Sequence, residues 1–159
     1  MWVWRRSCWS YTARCGGTAT GLFGSGLRSH LPTAAAALTE RLADRYAVGW
    51  LLAPDLQRTL ETARPISRAV GCEFRPDRRW RERYFGVLQG LGYGELFLGH
   101  RRFTLSEVGS TAVRPEGGES LLDQRERVIS AFATLREVLS ADETAVVVTR
   151  DSPLYLVLG

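Results

Sequence analysis

With 159 residues, 45% hydrophobic and 24% charged, the chain has enough apolar mass for one globular domain and too little for two independent cores; a disordered or collagen-like chain is excluded. All 21 of its Lys+Arg residues are arginines, so the net charge of +4 rests on groups that stay protonated at any working pH and favour bidentate oxyanion contacts. Anionic partners fit this composition, but no run of arginines interleaved with aromatics would track a phosphodiester backbone, and no nucleic-acid partner is expected.

Cys8, Cys15 and Cys72 are too few and too irregularly spaced for a disulfide framework, and two histidines do not complete a zinc site. The expectations are a reducing, cytoplasmic setting, no metal and no cofactor. No stretch approaches the ~18 apolar residues that span a bilayer, so no membrane partner is expected. Oligomeric state has no signature in the sequence.

In chain order, residues 1–6 read as a short apolar strand ending in Arg5 and Arg6, followed over residues 15–30 by a glycine-rich loop that is neither a Walker A nor a dinucleotide fingerprint. From Pro32, Ala35, Leu38, Leu42 and Tyr46 recur at helical spacing over about four turns. Trp50–Ala53 reads as a buried strand stopped by Pro54, after which Asp55 is placed to cap a helix reaching about residue 69. Gly71 ends that helix, and Cys72–Arg75 predicts a short third strand. Residues 87–114 have no clear pattern. Pro115–Ser120 opens a long helix whose Leu121, Leu122, Val128, Ile129, Phe132, Leu135 and Leu139 are expected to form one apolar face. Ala145–Thr149 is a β-branched strand ending at Arg150, and Pro153 is suited to open a last helix.

Alternating strands and helices predict a single domain over residues 1–159, an α/β fold with a mostly parallel sheet covered on both faces and ligands beyond the carboxyl ends of the strands. Arg5, Arg6, Arg58 and Arg150 are therefore expected to converge at one edge.

Four blocks in order resemble the histidine phosphatase (phosphoglycerate mutase-like) superfamily: Gly21–Leu27, Ala53–Ala63, Trp80–Leu91 and Pro115–Ser120. The resemblance implies a three-layer α/β/α sandwich and phosphomonoester hydrolysis or phosphoryl transfer through a phosphohistidine, without a metal. It implies that Arg58 holds the transferred phosphate and that Glu82 donates and accepts protons. The partner it implies is inorganic phosphate or a phosphorylated small molecule.

Two departures fall on the chemistry. Aligning Arg5-Arg6-Ser7 on the family's Arg-His-Gly puts Arg6 at the nucleophile position, and Arg150 falls at the second histidine position. A guanidinium has five donors and no usable lone pair, so Arg6 is not expected to form a phosphoenzyme, and turnover is expected to be impaired. The resemblance also implies that members continue beyond the last catalytic strand, whereas this sequence stops at Leu154–Gly159, giving an expected C-terminally incomplete fold. A non-catalytic pseudophosphatase that binds a phosphorylated metabolite or a protein partner is the main alternative. A minor one is a cysteine-dependent phosphatase using Cys8 and Arg14, whose Cys-x5-Arg spacing is common by chance in a chain so rich in arginine.

Overall fold

The computed structural model describes residues 2–5, 8–11, 33–91 and 112–158. Its five strands are β1 (Trp2–Arg5), β2 (Cys8–Tyr11), β3 (Val48–Ala53), β4 (Phe74–Pro76) and β5 (Thr144–Val147). They form one sheet in the order β2-β1-β5-β3-β4. The helices are α1 (Thr33–Arg45), α2 (Gln57–Val70), α3 (Leu121–Val138) and α4 (Asp151–Leu158), with 3-10 turns at Arg78–Trp80 and Gly86–Leu88.

Side chains on successive strand residues point to opposite faces, and the core divides accordingly. Leu51 and Ala53 of β3, with Val146 and Val148 in and just after β5, pack on Leu42 of α1 and Ala63 and Ile66 of α2. Leu52, Ala145 and Val147 face the other way, onto Trp80 and onto Val128, Ala131 and Leu135 of α3. The sheet is thus the middle of three layers, as the fold reading requires.

The α3 stripe differs from the sequence expectation. The buried positions are Gln124, Val128, Ala131 and Leu135, whereas Leu122 and Ile129 are exposed. Val128, Leu135 and Leu139 are buried as expected and Phe132 packs against the same cluster; the face departs from an apolar count at Gln124, a buried glutamine that such a count omits. Ser120 caps this helix: its hydroxyl accepts from the Asp123 N–H, and the Asp123 carboxylate accepts from the Ser120 N–H, a reciprocal capping box. Gly71 closes α2 in the left-handed conformation with φ of 65°, as expected of a glycine following a helix.

Strand β1 is the main correction. β3, β4 and β5 are mutually parallel, but β1 runs antiparallel to β5, pairing Trp2 with Val147 and Trp4 with Ala145. β2, which the sequence reading does not foresee, pairs antiparallel with β1 and brings Cys8 opposite Arg5. Only two residues separate these strands, a connection that closes a hairpin and cannot make a parallel crossover. Arg5 therefore lies at the end of the sheet where β5 begins, opposite the carboxyl ends of β3 and β5. The glycine-rich loop, Arg6, Arg14, His30 and His100 lie outside the described residues.

Leu51 is fully buried between the sheet and α1 and α2. We expect Leu51→Ala to cost about 2–5 kcal/mol, and Leu122→Ala on the exposed face of α3 to stay within about 0.5 kcal/mol. Urea unfolding of the two variants checks this: the midpoint should fall for the first and hold for the second.

Candidate functional site

The carboxyl ends of β3 and β5 deliver two turns to one edge of the sheet. After β3, Thr59 Oγ1 lies 2.7 Å from the carbonyls of both Pro54 and Leu56, shares its single proton between them and tightens the turn that starts α2. Asp55 does not cap this helix. Leu56 occupies the cap position without a side-chain bond, and the Asp55 carboxylate instead receives Arg81 Nε at 2.6 Å and Nη2 at 2.7 Å. A bidentate, charge-assisted pair outcompetes a single capping bond. The hydrogen bonds from Arg81 hold the Asp55 carboxyl below its usual range.

Arg58, in the first turn of α2, is half-buried, and its Nε is buried without a hydrogen-bond partner. Burial pulls this guanidinium below its ordinary range, and the charges of Arg150 and Arg81 push it further in that direction, while Glu82 opposes them. The structure thus brings together Arg58, Glu82 and Arg150, three of the residues expected here, with Arg150 exposed.

Glu82 sits in the irregular segment after Trp80, where one oxygen of its carboxylate gathers three donors. Oε1 receives the Arg83 N–H at 2.8 Å, Gln124 Nε2 at 3.1 Å and the Ser152 hydroxyl. Thr149 Oγ1 donates to the Trp80 carbonyl at 2.7 Å, tying the end of β5 to the same segment.

The segment has no regular hydrogen-bond ladder, and Arg127 of α3 supplies the missing partners. Its Nη1 donates to the carbonyls of Arg79 and Arg81, both at 2.8 Å, and its Nη2 to that of Glu82 at 3.1 Å. The same guanidinium reaches the Glu119 carboxylate through Nε at 2.7 Å and Nη2 at 2.8 Å, and Glu119 accepts the Tyr84 N–H at 3.0 Å. Two backbones also meet closely: a Cβ on Gly86, whose φ is 54°, would collide with the Glu116 carbonyl, and one on Gly118 would lie 2.8 Å from the Gly86 nitrogen. The Glu82 segment is thereby fastened to the start of α3.

Sequence reasoning missed Gln124, Arg127, Glu119 and Ser152. Only Gln124 left a readable signal, a polar residue four, seven and eleven positions before Val128, Ala131 and Leu135 in a buried helical stripe. Conversely, the register keeps Arg5 away from this edge. Cys8 begins β2 opposite Arg5, so it does not follow a strand into this edge as a Cys-x5-Arg phosphatase loop requires. Among the described residues no three His, Cys, Asp or Glu side chains could hold a metal ion, and no helix is long and apolar enough to cross a membrane.

Residues 13–158 match the model of the histidine phosphatase superfamily, branch 1. The chain belongs to that superfamily. Among its relatives, Probable phosphoglycerate mutase GpmB of Escherichia fergusonii is 33% identical over 97 residues, a stretch covering 60% of this chain and 45% of that protein. The chain therefore spans under half the length of this curated relative. A mycobacterial glucosyl-3-phosphoglycerate phosphatase in complex with VO3 superposes with a TM-score of 0.69 at 22% identity, covering 87% of this chain and 71% of the other. The α-ribazole phosphatase of Shigella flexneri superposes with a TM-score of 0.72 at 19% identity, covering 87% and 70%. These two likenesses establish the shared fold. The histidine phosphatase match begins after Arg5 and Arg6, so neither residue is among those that carry it.

Burial works to raise the Glu119 carboxyl, but hydrogen bonds from Arg127 and the Tyr84 N–H outweigh it and hold the group below its ordinary range. A carboxyl depressed on folding adds stability above the unfolded-state value, about 4.3 for glutamate, and loses that contribution as the pH falls through the folded-state value. We expect Glu119→Gln to lower the urea midpoint at pH 7 and to lower it much less at pH 2.5. An equal loss at both values would deny the linkage.

Proposed function

We propose that this histidine phosphatase-family chain binds a tetrahedral oxyanion, inorganic phosphate or the phosphoryl group of a small phosphoester, at the edge formed by Arg58, Glu82 and Arg150. One observation carries the reading. Arg58 has a buried Nε without an acceptor and is repelled by two neighbouring arginines. A buried donor on a cation in repulsive surroundings is an unmet demand for an anion, and a phosphate oxygen meets it with a charge-assisted bond.

Three other arginines nearby are already matched. Arg79 pairs with Asp77, Arg81 with Asp55 and Arg127 with Glu119. Among the described residues, neither Arg58 nor Arg150 is in an ion pair, so both can face a ligand. The mycobacterial phosphatase of the same fold is known in complex with inorganic phosphate and with VO3, which supports an oxyanion as the occupant.

In this reading Arg58 neutralises the phosphoryl oxygens and Glu82 exchanges a proton with an ester oxygen. Arg150, at the family's second histidine position, adds positive charge and cannot act as a base, because a guanidinium keeps its protons at any pH the fold tolerates. The same chemistry would bar Arg6 from carrying a phosphoryl group. Binding with impaired phosphomonoester turnover is therefore favoured over a competent phosphatase or mutase.

Phosphate and sulfate are expected to raise the melting temperature with a stabilisation that grows as RT ln(1 + [L]/Kd), about 2.7 kcal/mol at a hundredfold excess over Kd. Arg58→Met should abolish the increment, and Arg150→Met should weaken it. Hydrolysis of an aryl phosphate by the unmodified chain should fall well below that of the Arg150→His variant, which gains a side chain able to exchange a proton beside Arg58. An unmoved melting midpoint at saturating anion overturns the binding reading, and equal turnover in the two proteins overturns the argument about arginine.

A further inference from the structure

Three elements that are distant in sequence meet at one carboxylate oxygen. Gln124 of α3 is fully buried, and the hydrogens of its amide nitrogen are both used, one toward Glu82 Oε1 at 3.1 Å and one toward Ser152 Oγ at 2.6 Å. Ser152, in the first turn of α4, accepts that bond and passes its own proton toward Glu82 Oε1. The third donor to Oε1 is the Arg83 N–H. Each bond has a fixed polarity. Rotating the amide by half a turn would set its oxygen against both the carboxylate and the serine oxygen, so the ring of contacts admits one orientation of the glutamine.

The amide is retained at a cost. Gln124 Oε1 is buried without a partner, and a leucine would fill much the same volume with no orphaned acceptor. The compensating contribution lies at the other end of the side chain, in what the NH2 group holds. Carboxylate Oε1 is saturated by three donors, and among the described residues no hydrogen bond reaches Oε2.

We propose that Gln124 and Ser152 are positioning residues that pin Oε1 of Glu82 and reserve Oε2 for proton exchange with the bound phosphoester. This rests on the reading of Glu82 as the proton-exchanging group of the site, and it adds which oxygen does the work and which side chains assign it. Arg127 and Glu119 hold the main chain of the segment, Gln124 and Ser152 aim its carboxylate, and α3 thereby governs both. A carboxyl held at one oxygen keeps one rotamer, so a proton it exchanges is always presented in the same direction.

The test reads the glutamate directly and needs neither ligand nor turnover. In the full-length, isotopically labelled chain, three-bond couplings about χ1 and χ2 of Glu82, assigned by their loss in Glu82→Gln, should report one rotamer. Ser152→Ala and Gln124→Leu should each move the couplings toward the averaged values of a free side chain, and Ser152→Thr, which keeps the hydroxyl, should restore the single rotamer. A purely space-filling role would leave the Glu82 couplings untouched in a folded variant. Unchanged couplings in folded Ser152→Ala and Gln124→Leu overturn the proposal. If Gln124→Leu fails to fold, Ser152→Ala against Ser152→Thr decides alone, because Ser152 is only half-buried. Failure of the oxyanion reading shows separately, as anion-independent melting, while the couplings still report whether the two residues aim the carboxylate.

Discussion

The arrangement of the edge depends on the guanidinium of Arg127. The chain from Arg79 to Gly86 has little regular backbone pairing, and half-buried carbonyls without donors are costly. One planar fork satisfies three of them and closes on Glu119, whose carboxylate both neutralises the charge and accepts a backbone N–H from the same segment. An arginine suits this task because its donors form a rigid fan, whereas a lysine ammonium is a point charge with three donors on a flexible stem. Glu82 has a defined place only because this clamp holds the loop on which it stands.

Charge is apportioned by the same logic. An arginine-rich edge is self-repelling unless each cation finds a carboxylate, and the acidic residues here are spent in pairs: Asp77 on Arg79, Asp55 on Arg81, Glu119 on Arg127, Asp123 on Arg114. What is left over defines the site more sharply than what is paired. Arg58 has an orphaned donor, Arg150 is exposed, and among the described residues Glu82 is bound through one oxygen only. The Asp55–Arg81 and Arg114–Asp123 pairs are largely open to solvent and contribute modestly. The Arg127–Glu119 pair, more enclosed and tied to four backbone groups, contributes more.

Topology decides which parts of the chain reach this edge. β3 and β5 are parallel neighbours, so the residues following both emerge on the same side and can cooperate. β1 runs the other way, carrying Arg5 to the far end of the sheet. The histidine phosphatase superfamily match covers residues 13–158, which contain the Arg58, Glu82 and Arg150 turns.

Much of this was legible in the residues themselves. The periodicity of α1, the apolar runs of β3 and β5, Gly71 as the stop of α2 and the Pro115–Ser120 opening of α3 follow from local backbone sterics and short-range hydrogen bonding, which a neighbouring stretch of sequence determines on its own. That Arg58, Glu82 and Arg150 lie near one another was also expected, because they follow strand ends or stand in motifs. The orientation of β1, the exchange of Asp55 from helix cap to partner of Arg81, and the meeting of Gln124, Ser152 and Glu82 were decided only in three dimensions. Each depends on which of several possible partners lies nearest once distant segments pack, and residues 42 and 70 positions apart in the chain share one oxygen only because α3 and α4 cover the same face of the sheet.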